Sequence, residues 1–218
     1  MNIFADNFFS HLSELHQPVV LLIIIVVACY FIGNINPAII LGKIYGLDIR
    51  ESGSGNAGAT NVLRTIGKKA GIITFVVDVL KGVICVLPTM LLISLPFALV
   101  CGLAVIIGHM YPVLFGFRGG KGVSTTLGIL LGIDWRLGLS LLAVFILVVL
   151  IFRRVSLGVI IALLVAIPIG AQFNSLYPLW VLIFALLIII KHRQNIVRLF
   201  KGTEPKLSIG SKEKKGKA

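Results

Sequence analysis

The sequence predicts an all-α polytopic membrane protein with about seven transmembrane helices. Of its 218 residues, 58% are hydrophobic and 13% are charged, and the mean hydropathy is +1.06. A soluble domain of this length is usually nearer half apolar and a quarter charged. Because only a bilayer accommodates such an apolar excess, we expect one integral membrane domain over residues 1–218, in which residues 205–218 form a basic cytoplasmic tail.

The candidate helices follow from the length of the apolar segments, since a membrane-spanning helix needs roughly 20 residues. Six segments are clear candidates, the last two of them short: residues 19–42, 70–95, 96–115, 137–152, 157–171 and 176–190. A seventh segment, Val123–Ile133, is too short to cross at full thickness unless the bilayer or the protein adapts. In the first segment, Asn34, Asn36 and Pro37 suggest a kink.

The distribution of Lys and Arg favours seven crossings, because these residues concentrate in cytoplasmic loops. Residues 1–18 contain neither, whereas the chain from Lys191 onwards contains nine. Seven crossings place this basic tail and Arg153–Arg154 on the side opposite the N-terminus. Six crossings would place both on the outer side, which the rule disfavours. We therefore predict the N-terminus outside, the C-terminus in the cytoplasm and a multi-pass protein.

The remaining composition gives little support for metal or nucleic-acid binding. Cys29, Cys85 and Cys101 lie within predicted spans, which favours buried apolar side chains over disulfides. No Cys/His spacing is typical of a metal site, and no cofactor is expected. The net charge of +12 lies largely in cytoplasmic loops and the tail, where it first serves topology. The tail could also contact anionic lipid weakly.

Polar and glycine residues gather in three clusters, each at the cytoplasmic end of a predicted span. The first is residues 52–64 (SGSGNAGATNVLR), the second is residues 108–126 (GHMYPVLFGFRGGKGVSTT), and the third is residues 192–204 (HRQNIVRLFKGTE). The topology rests on charge and apolar length, yet it brings all three to the same side of the bilayer. This convergence predicts one site, with the motif loops on the cytoplasmic face.

The residue types in these clusters are typical of phosphate recognition. Glycines let backbone N–H groups turn inward and form concave nests that favour anions. Arg64, Arg118 and Lys121 add fixed positive charge. His192 and Asn195 share a helix face at a spacing of three, and His transfers protons near neutral pH. The clusters therefore predict a cytoplasm-facing phosphate site with a possible acid or base.

Two soluble nucleotide-binding motifs can be excluded. Residues 53–58 have the GxGxxG spacing, and Asp78 follows at the distance of a ribose carboxylate, but that fingerprint requires a buried strand before the glycines. Residues 46–51 are too polar for one, and Asp78 lies within a predicted span, three residues before Lys81. Residues 116–122 fail the Walker A spacing by one position and lack its Ser or Thr.

Several polar residues have a structural alternative to a role in the site. Asp78 and Lys81, at i and i+3, could form a neutralised pair within the span. His109 precedes Pro112 at a helix end, where a structural and a functional role are equally open. Glu204 could orient a basic residue of the site or cap the tail.

The three clusters together resemble the motifs of the bacterial membrane acyl-phosphate:glycerol-3-phosphate acyltransferases, the PlsY family. The similarity extends to the span layout over nearly the whole chain. The chain departs from the family at Ala57, where Pro is common, and at Ser124, where Ala is common; both replacements are small.

The resemblance implies transfer of a fatty acyl group from acyl phosphate to the 1-hydroxyl of sn-glycerol 3-phosphate. The products would be lysophosphatidic acid and inorganic phosphate, in the first acylation of phospholipid synthesis. It also implies the bacterial cytoplasmic (inner) membrane, an active site facing the cytoplasm, and functional coupling to the enzyme that makes acyl phosphate. Membrane lipid is an expected partner and nucleic acid is not.

The resemblance also assigns roles to individual residues. Glycerol 3-phosphate would be bound by Ser54, Arg64, Lys121, Ser156, His192 and Asn195. Acyl phosphate would be bound by Asn56, Thr60, Asn61, Gly119, Gly120, Lys121 and Gly122. Within these sets the expected catalytic residues are His192, Asn195, Ser54 and Arg64, with His192 as candidate base; a substrate phosphate oxygen is the alternative proton acceptor. Supporting roles fall to His109, Arg118 and Glu204.

Two other function classes compete with an acyltransferase. A transporter or channel for a phosphorylated metabolite would suit a short fourth span and anion sites at helix ends. However, the polar clusters collect at one face rather than near the midplane, and no inverted repeat is apparent. A non-catalytic lipid-binding protein would not need so many phosphate-type donors.

Overall fold

The computed structural model describes the backbone of residues 3–207 and the side chains of residues 18–207. All regular structure in this range is helical, which confirms the predicted all-α class. Ten α-helices occur in order: α1 (Ile3–Asn34), α2 (Pro37–Ile44), α3 (Ala59–Thr65), α4 (Lys68–Leu92), α5 (Leu95–Met110), α6 (Val123–Ile133), α7 (Trp135–Phe152), α8 (Val155–Ala171), α9 (Tyr177–Lys191) and α10 (Arg193–Phe200), with a short 3-10 helix at Val113–Phe115.

Within the described residues, four helical stretches are long and apolar enough to cross a membrane: Pro18–Ile44, Lys68–Leu92, Leu95–Phe115 and Trp135–Phe152. The pair α9 and α10 is bent by 69° and would add a fifth as one broken span, while α6 and α8 are shorter apolar helices. Every predicted apolar segment is therefore helical. Seven crossings and the orientation stay predictions, and the tail beyond residue 207 lies outside the described residues.

The first apolar segment is broken where its sequence suggests a kink. Helix α1 ends at Asn34 and α2 begins at Pro37, a residue suited to a first helical turn. Asn36 caps α2, because its side chain accepts a hydrogen bond of 3.1 Å from Ile39 N. The break leaves the backbone carbonyls of Gly33 and Ile35 near a helix end, where such groups need partners from elsewhere.

Glycines allow the helices of residues 1–133, the first of two compact units, to pack closely. At the α1–α5 contact, a Cβ on Gly33 would meet Val105 O, and one on Gly108 would meet Tyr30 O. The α4–α6 contact has the same character at Gly82 and Gly128, whose added Cβ atoms would meet backbone carbonyls of the partner helix. Such small residues let transmembrane helices approach backbone to backbone.

Among the described residues, 134–207 belong to the second unit, in which α8 packs between α7 and α9, and α10 contacts α8 and α9. Helix α7 is capped by Asp134 before its first residue and by Arg153 after its last, and α8 begins at Val155. A Cβ on Gly158 of α8 would meet Val149 and Phe145 of α7, so this pair also packs through a small residue. The single domain over residues 1–218 stays a prediction.

Candidate functional site

The loop of the first cluster is organised by the side chain of Asn61. This residue is buried, with 1% of its surface exposed. Its Oδ1 accepts a hydrogen bond of 2.9 Å from Ser54 N, while its Nδ2 donates to Ile49 O and Ser52 O, both at 2.9 Å. Gly53, with φ +60°, has no room for a Cβ against the same amide. Both amide hydrogens of Asn61 are therefore used within the loop.

The other predicted ligands of the first cluster lie around this scaffold. The side chains of Ser54 and Arg64 are exposed, and those of Asn56 and Thr60 are half-buried. Arg64 lies in the last turn of α3, a helix that packs on α4 and contains the fully buried Val62. Asn61 thus fixes the backbone, while the hydroxyl of Ser54 and the guanidinium of Arg64 face outwards.

Arg50, to which no role was assigned from the sequence, forms a salt bridge just before this loop and also contacts the second cluster. Arg50 Nη2 lies 2.7 Å from Asp48 Oδ2, and Arg50 Nε donates to Asp48 Oδ1 at 2.9 Å. These hydrogen bonds lower the pKa of Asp48 to about 2. Arg50 Nη1 also donates to Phe115 O at 3.2 Å. In the sequence, this salt bridge is indicated only by an acidic and a basic residue two positions apart.

The segment that leads into the glycine loop of the second cluster is held by the end of α1. Tyr30 Oη donates to Tyr111 O at 2.9 Å and accepts from Val113 N at 3.2 Å. Asn34 Oδ1 accepts from Leu114 N at 3.3 Å. The chain between α5 and the glycines therefore has fixed backbone anchors.

The glycine loop, residues 116–122, folds back on the C-terminal end of α5. Gly120 N donates to His109 O at 3.1 Å, and Gly119 N donates to Met110 O at 3.3 Å. A Cβ on Gly120 would meet both His109 Nε2 and Ala57 O. Gly120 is thus the point where the first and second clusters meet, so the structure brings these two predicted clusters together.

The flanking residues of this loop differ in exposure. Arg118 is exposed, Lys121 is half-buried, and Gly122 is buried at φ +80°, immediately before α6. The positive φ of Gly122 turns the chain from the loop into the helix, a conformation that favours glycine. Two cationic residues, Arg118 and Lys121, therefore flank Gly119 and the buried Gly120.

In the second unit, the third cluster is built around the carboxylate of Glu204. Its Oε1 accepts hydrogen bonds of 2.7 Å from Ser156 Oγ and from Asn195 Nδ2, and its Oε2 accepts one of 2.7 Å from Arg198 Nε. Glu204 is 8% exposed. Glu204 therefore holds the side chain of Arg198 together with two predicted substrate-binding side chains. Arg198 had no predicted role.

The carboxylate of Glu204 is charged in this cluster. Burial raises its pKa, but the hydrogen bonds from Asn195, Ser156 and Arg198, together with the Arg198 charge, outweigh that effect and lower the pKa below its ordinary value of 4.5. A carboxyl group whose pKa falls on folding stabilises the folded state above its unfolded pKa. That stabilisation is lost as the pH falls through the folded value.

We expect Glu204→Gln to destabilise the protein at pH 7 and to reduce its sensitivity to acid. Loss of charge-assisted hydrogen bonds should lower the unfolding midpoint by roughly 3–8 °C at pH 7. The gap between variant and wild type should narrow as the pH falls below about 4.5, because the unfolded wild-type chain then takes up a proton that the folded carboxylate, with its lower pKa, does not. Thermal unfolding in detergent at pH 7, 5 and 4 measures this. A gap that stays constant would contradict the assigned charge state.

His192 lies at the bend between α9 and α10 and is 4% exposed. Its Nδ1 is 2.8 Å from Ile188 O. Because a carbonyl oxygen only accepts, Nδ1 carries a hydrogen, and Nε2 is then the basic nitrogen of the neutral ring. Asn195 lies one turn further along, as the spacing predicts. This tautomer suits a proton acceptor at Nε2.

The structure thus assembles the predicted residues in two groups. The first and second clusters meet within residues 1–133, and the third is built within residues 134–207 around Glu204. Convergence of all three on one site stays a prediction. Among the described residues, no group of three or more His, Cys, Asp or Glu side chains could hold a metal ion.

Comparisons with known proteins show the family to which the chain belongs. The family model described as glycerol-3-phosphate acyltransferase matches residues 23–202. A glycerol-3-phosphate acyltransferase of Clostridioides difficile (strain 630) is 46% identical over 207 residues, which cover 88% of this chain and 97% of that protein. One of Prochlorococcus marinus (strain NATL1A) is 43% identical over 187 residues, covering 82% and 94%.

Solved structures show the same similarity. The crystal structure of PlsY (YgiH), an integral membrane glycerol 3-phosphate acyltransferase, in its glycerol 3-phosphate form superposes with a TM-score of 0.82 at 37% identity, covering 86% of this chain and 96% of that one. Its lysophosphatidic acid form gives a TM-score of 0.80 at the same identity. The family model spans most of the chain and the relatives match over nearly their whole length, so the chain belongs to the glycerol-3-phosphate acyltransferase family of integral membrane enzymes.

Proposed function

We propose that this acyltransferase uses acyl phosphate as its donor and esterifies the 1-hydroxyl of sn-glycerol 3-phosphate. The observation that carries the proposal is the glycine loop of residues 119–122, folded against the first cluster at Gly120. Glycines let a phosphate group approach the backbone of such a loop closely, and Lys121 within it and Arg118 beside it supply positive charge. The exposed hydroxyl of Ser54 and guanidinium of Arg64 offer further donors to a second phosphate.

The chemistry of the donor matches what the described residues supply. An acyl phosphate is a mixed anhydride with an activated carbonyl and a phosphate leaving group, so the reaction requires no covalent enzyme intermediate. The three cysteines are buried, and none belongs to the three polar clusters of the sequence. Positioning of two bound substrates and stabilisation of developing charge would then supply the rate enhancement.

The proposed step is a direct transfer. The 1-hydroxyl oxygen of glycerol 3-phosphate attacks the acyl carbonyl carbon, the bond from that carbon to the phosphate oxygen breaks, and inorganic phosphate leaves. The hydroxyl proton passes to His192 Nε2, the basic nitrogen of the tautomer fixed by Ile188 O. A phosphate oxygen of the substrate is the alternative acceptor.

We assign glycerol 3-phosphate to Ser54, Arg64, Lys121, Ser156, His192 and Asn195. The acyl phosphate head is assigned to Gly119, Gly120, Lys121 and Gly122, with Asn56 and Thr60 beside them. Asn61 is reassigned to a supporting role, because its amide hydrogens are used by the loop backbone. Glu204 supports Ser156 and Asn195 from the third cluster.

We place the enzyme in the bacterial cytoplasmic membrane with its site facing the cytoplasm. The basic loops and tail support this orientation through the positive-inside rule. A membrane-surface site gives access to glycerol 3-phosphate from water and to a long acyl chain from the bilayer. The source of the donor would be a functionally coupled enzyme that makes acyl phosphate.

The proposal is tested with purified protein in proteoliposomes, labelled glycerol 3-phosphate and either palmitoyl phosphate or palmitoyl-CoA. We expect labelled lysophosphatidate with palmitoyl phosphate alone, and its near-complete loss in Arg64→Ala. Product from palmitoyl-CoA instead would overturn the assigned donor. If label accumulated inside vesicles without lipid formation, the transporter alternative would replace the proposal.

A further inference from the structure

A buried ionic cluster, which none of the assigned substrate contacts uses, lies directly beneath the glycine loop. It consists of Asp78 and Lys81 on α4 and His109 on α5, and each is no more than 3% exposed. Lys81 Nζ is 2.7 Å from Asp78 Oδ1 and 2.7 Å from His109 Nδ1, and His109 Nδ1 is 3.3 Å from Asp78 Oδ1. Three ionisable side chains thus meet within a membrane domain.

The hydrogen bonds of Lys81 fix the protonation pattern of the cluster. An ammonium group has three hydrogens and no lone pair, so it donates and cannot accept. Lys81 Nζ lies 3.2 Å from Gly33 O, 3.0 Å from Ile35 O and 2.7 Å from His109 Nδ1, and the carboxylate of Asp78 is its ion-pair partner at 2.7 Å. Lys81 therefore donates to His109 Nδ1, and Asp78 supplies the balancing charge.

This pattern determines what His109 presents to the glycine loop. When Nδ1 accepts a hydrogen bond, the neutral imidazole carries its hydrogen on Nε2. His109 Nε2 is the atom that a Cβ on Gly120 would meet, and the carbonyl of His109 accepts the hydrogen bond of Gly120 N. One residue therefore contacts the loop both through its backbone and through the N–H edge of its ring.

The cost of the cluster argues that it does more than join two helices. Charged side chains within a membrane domain are expensive to bury, and a buried ion pair is often matched in stability by apolar residues of similar size. The glycines at the α1–α5 and α4–α6 contacts already provide close packing. Apolar residues in place of Asp78 and Lys81 could not set the tautomer of His109.

We propose that His109 is a positioning residue for the acyl phosphate loop, with Lys81 and Asp78 fixing its tautomer. The proposal rests on the proposed function, in which Gly119–Gly122 hold the phosphate of the donor. The Nε2–H edge supports Gly120 from the buried side, so that the loop keeps its place against the first cluster, where the phosphate of the donor is assigned. The break between α1 and α2 takes part, because its carbonyls at Gly33 and Ile35 anchor Lys81.

Two amide replacements of His109 separate its ring nitrogens. Gln places its amide nitrogen near the position of Nε2, whereas Asn places it near Nδ1. We expect His109→Asn to raise the KM for palmitoyl phosphate about tenfold, because the loop loses its support at Gly120 and a displaced positioning group costs up to about 100-fold, while the KM for glycerol 3-phosphate changes less than threefold. His109→Gln should stay within threefold of wild type for both. A rise in both KM values together, or in neither, would overturn the proposal.

A double variant tests the rest of the cluster without leaving a lone buried charge. Asp78→Asn with Lys81→Met should reproduce the selective rise in the KM for palmitoyl phosphate, because the tautomer of His109 is no longer fixed. The matched control is Thr89→Val, which alters a buried hydroxyl of α4 that bonds to carbonyls of its own helix. A double variant with unchanged KM for the donor would contradict the roles of Lys81 and Asp78.

Amide hydrogen exchange separates this proposal from the proposed function. In the absence of substrate, the amides of residues 119–122 should exchange faster in His109→Asn than in wild type or His109→Gln. If wild-type protein made no product from palmitoyl phosphate, the assigned donor would be wrong, and the exchange measurement would still decide whether His109 holds the loop. Equal exchange in all three proteins would overturn the positioning role.

Discussion

His192→Ala is expected to lower kcat by about 10²–10⁴-fold, the usual contribution of a positioned general base. The hydrogen bond of Nδ1 to Ile188 O leaves Nε2 as the basic nitrogen of the neutral ring, and Ala removes that nitrogen. The KM for palmitoyl phosphate should change little, because the donor is assigned to the glycine loop. Steady-state kinetics in proteoliposomes, with both substrates varied, measure the two effects.

His192→Asn is the matched control for this variant. Its amide nitrogen can take the place of Nδ1 and retain the contact with Ile188 O, but it offers no basic nitrogen in the position of Nε2. We expect its kcat to be as low as that of His192→Ala, with an unfolding midpoint nearer to wild type. A kcat within tenfold of wild type in both variants would transfer the proton-accepting role to a substrate phosphate oxygen.

Gly120→Ala should reduce kcat/KM for palmitoyl phosphate by at least about 100-fold. A Cβ at this position meets His109 Nε2 on one side and Ala57 O on the other, so the loop must move away from both. Displacement of a substrate-positioning group by about 1 Å costs on the order of 100-fold. The measurement is kcat/KM for the donor at saturating glycerol 3-phosphate.

Gly116→Ala, in the same loop, serves as control for Gly120→Ala. An added Cβ there meets nothing within 4 Å, although its φ of +65° disfavours Ala. This strain should cost about 1–2 kcal/mol of stability with a less than fivefold change in kcat/KM. If both variants lost activity equally, general sensitivity of the loop, rather than crowding at Gly120, would explain the effect.

The helices were predictable because their signal is local. Apolar length identified each segment, and Asn36 with Pro37 marked the break in the first, since an Asn cap followed by Pro is a helix-start pattern. The three polar clusters were also predictable, because glycines and cations stand out in an apolar chain.

The assignments within the clusters required the structure, because they depend on which groups satisfy one another. Asn61 has the chemistry of an anion ligand, yet its hydrogens are used by two carbonyls of its own loop. Lys81 pairs with Asp78 at the spacing expected on a helix, but its contacts with Gly33, Ile35 and His109 span 28 to 48 residues of sequence. No local pattern reveals such partners.

The central claim is that the acyl group passes directly between two phosphate-bearing substrates that are bound together. An initial-rate study in which palmitoyl phosphate and glycerol 3-phosphate are both varied tests this claim most directly. Direct transfer through a ternary complex predicts double-reciprocal lines that intersect, with no labelled acyl group retained on the protein after incubation with the donor alone. Parallel lines, together with a stoichiometric acyl-enzyme, would contradict direct transfer and would require a nucleophilic residue that the three clusters have not been assigned.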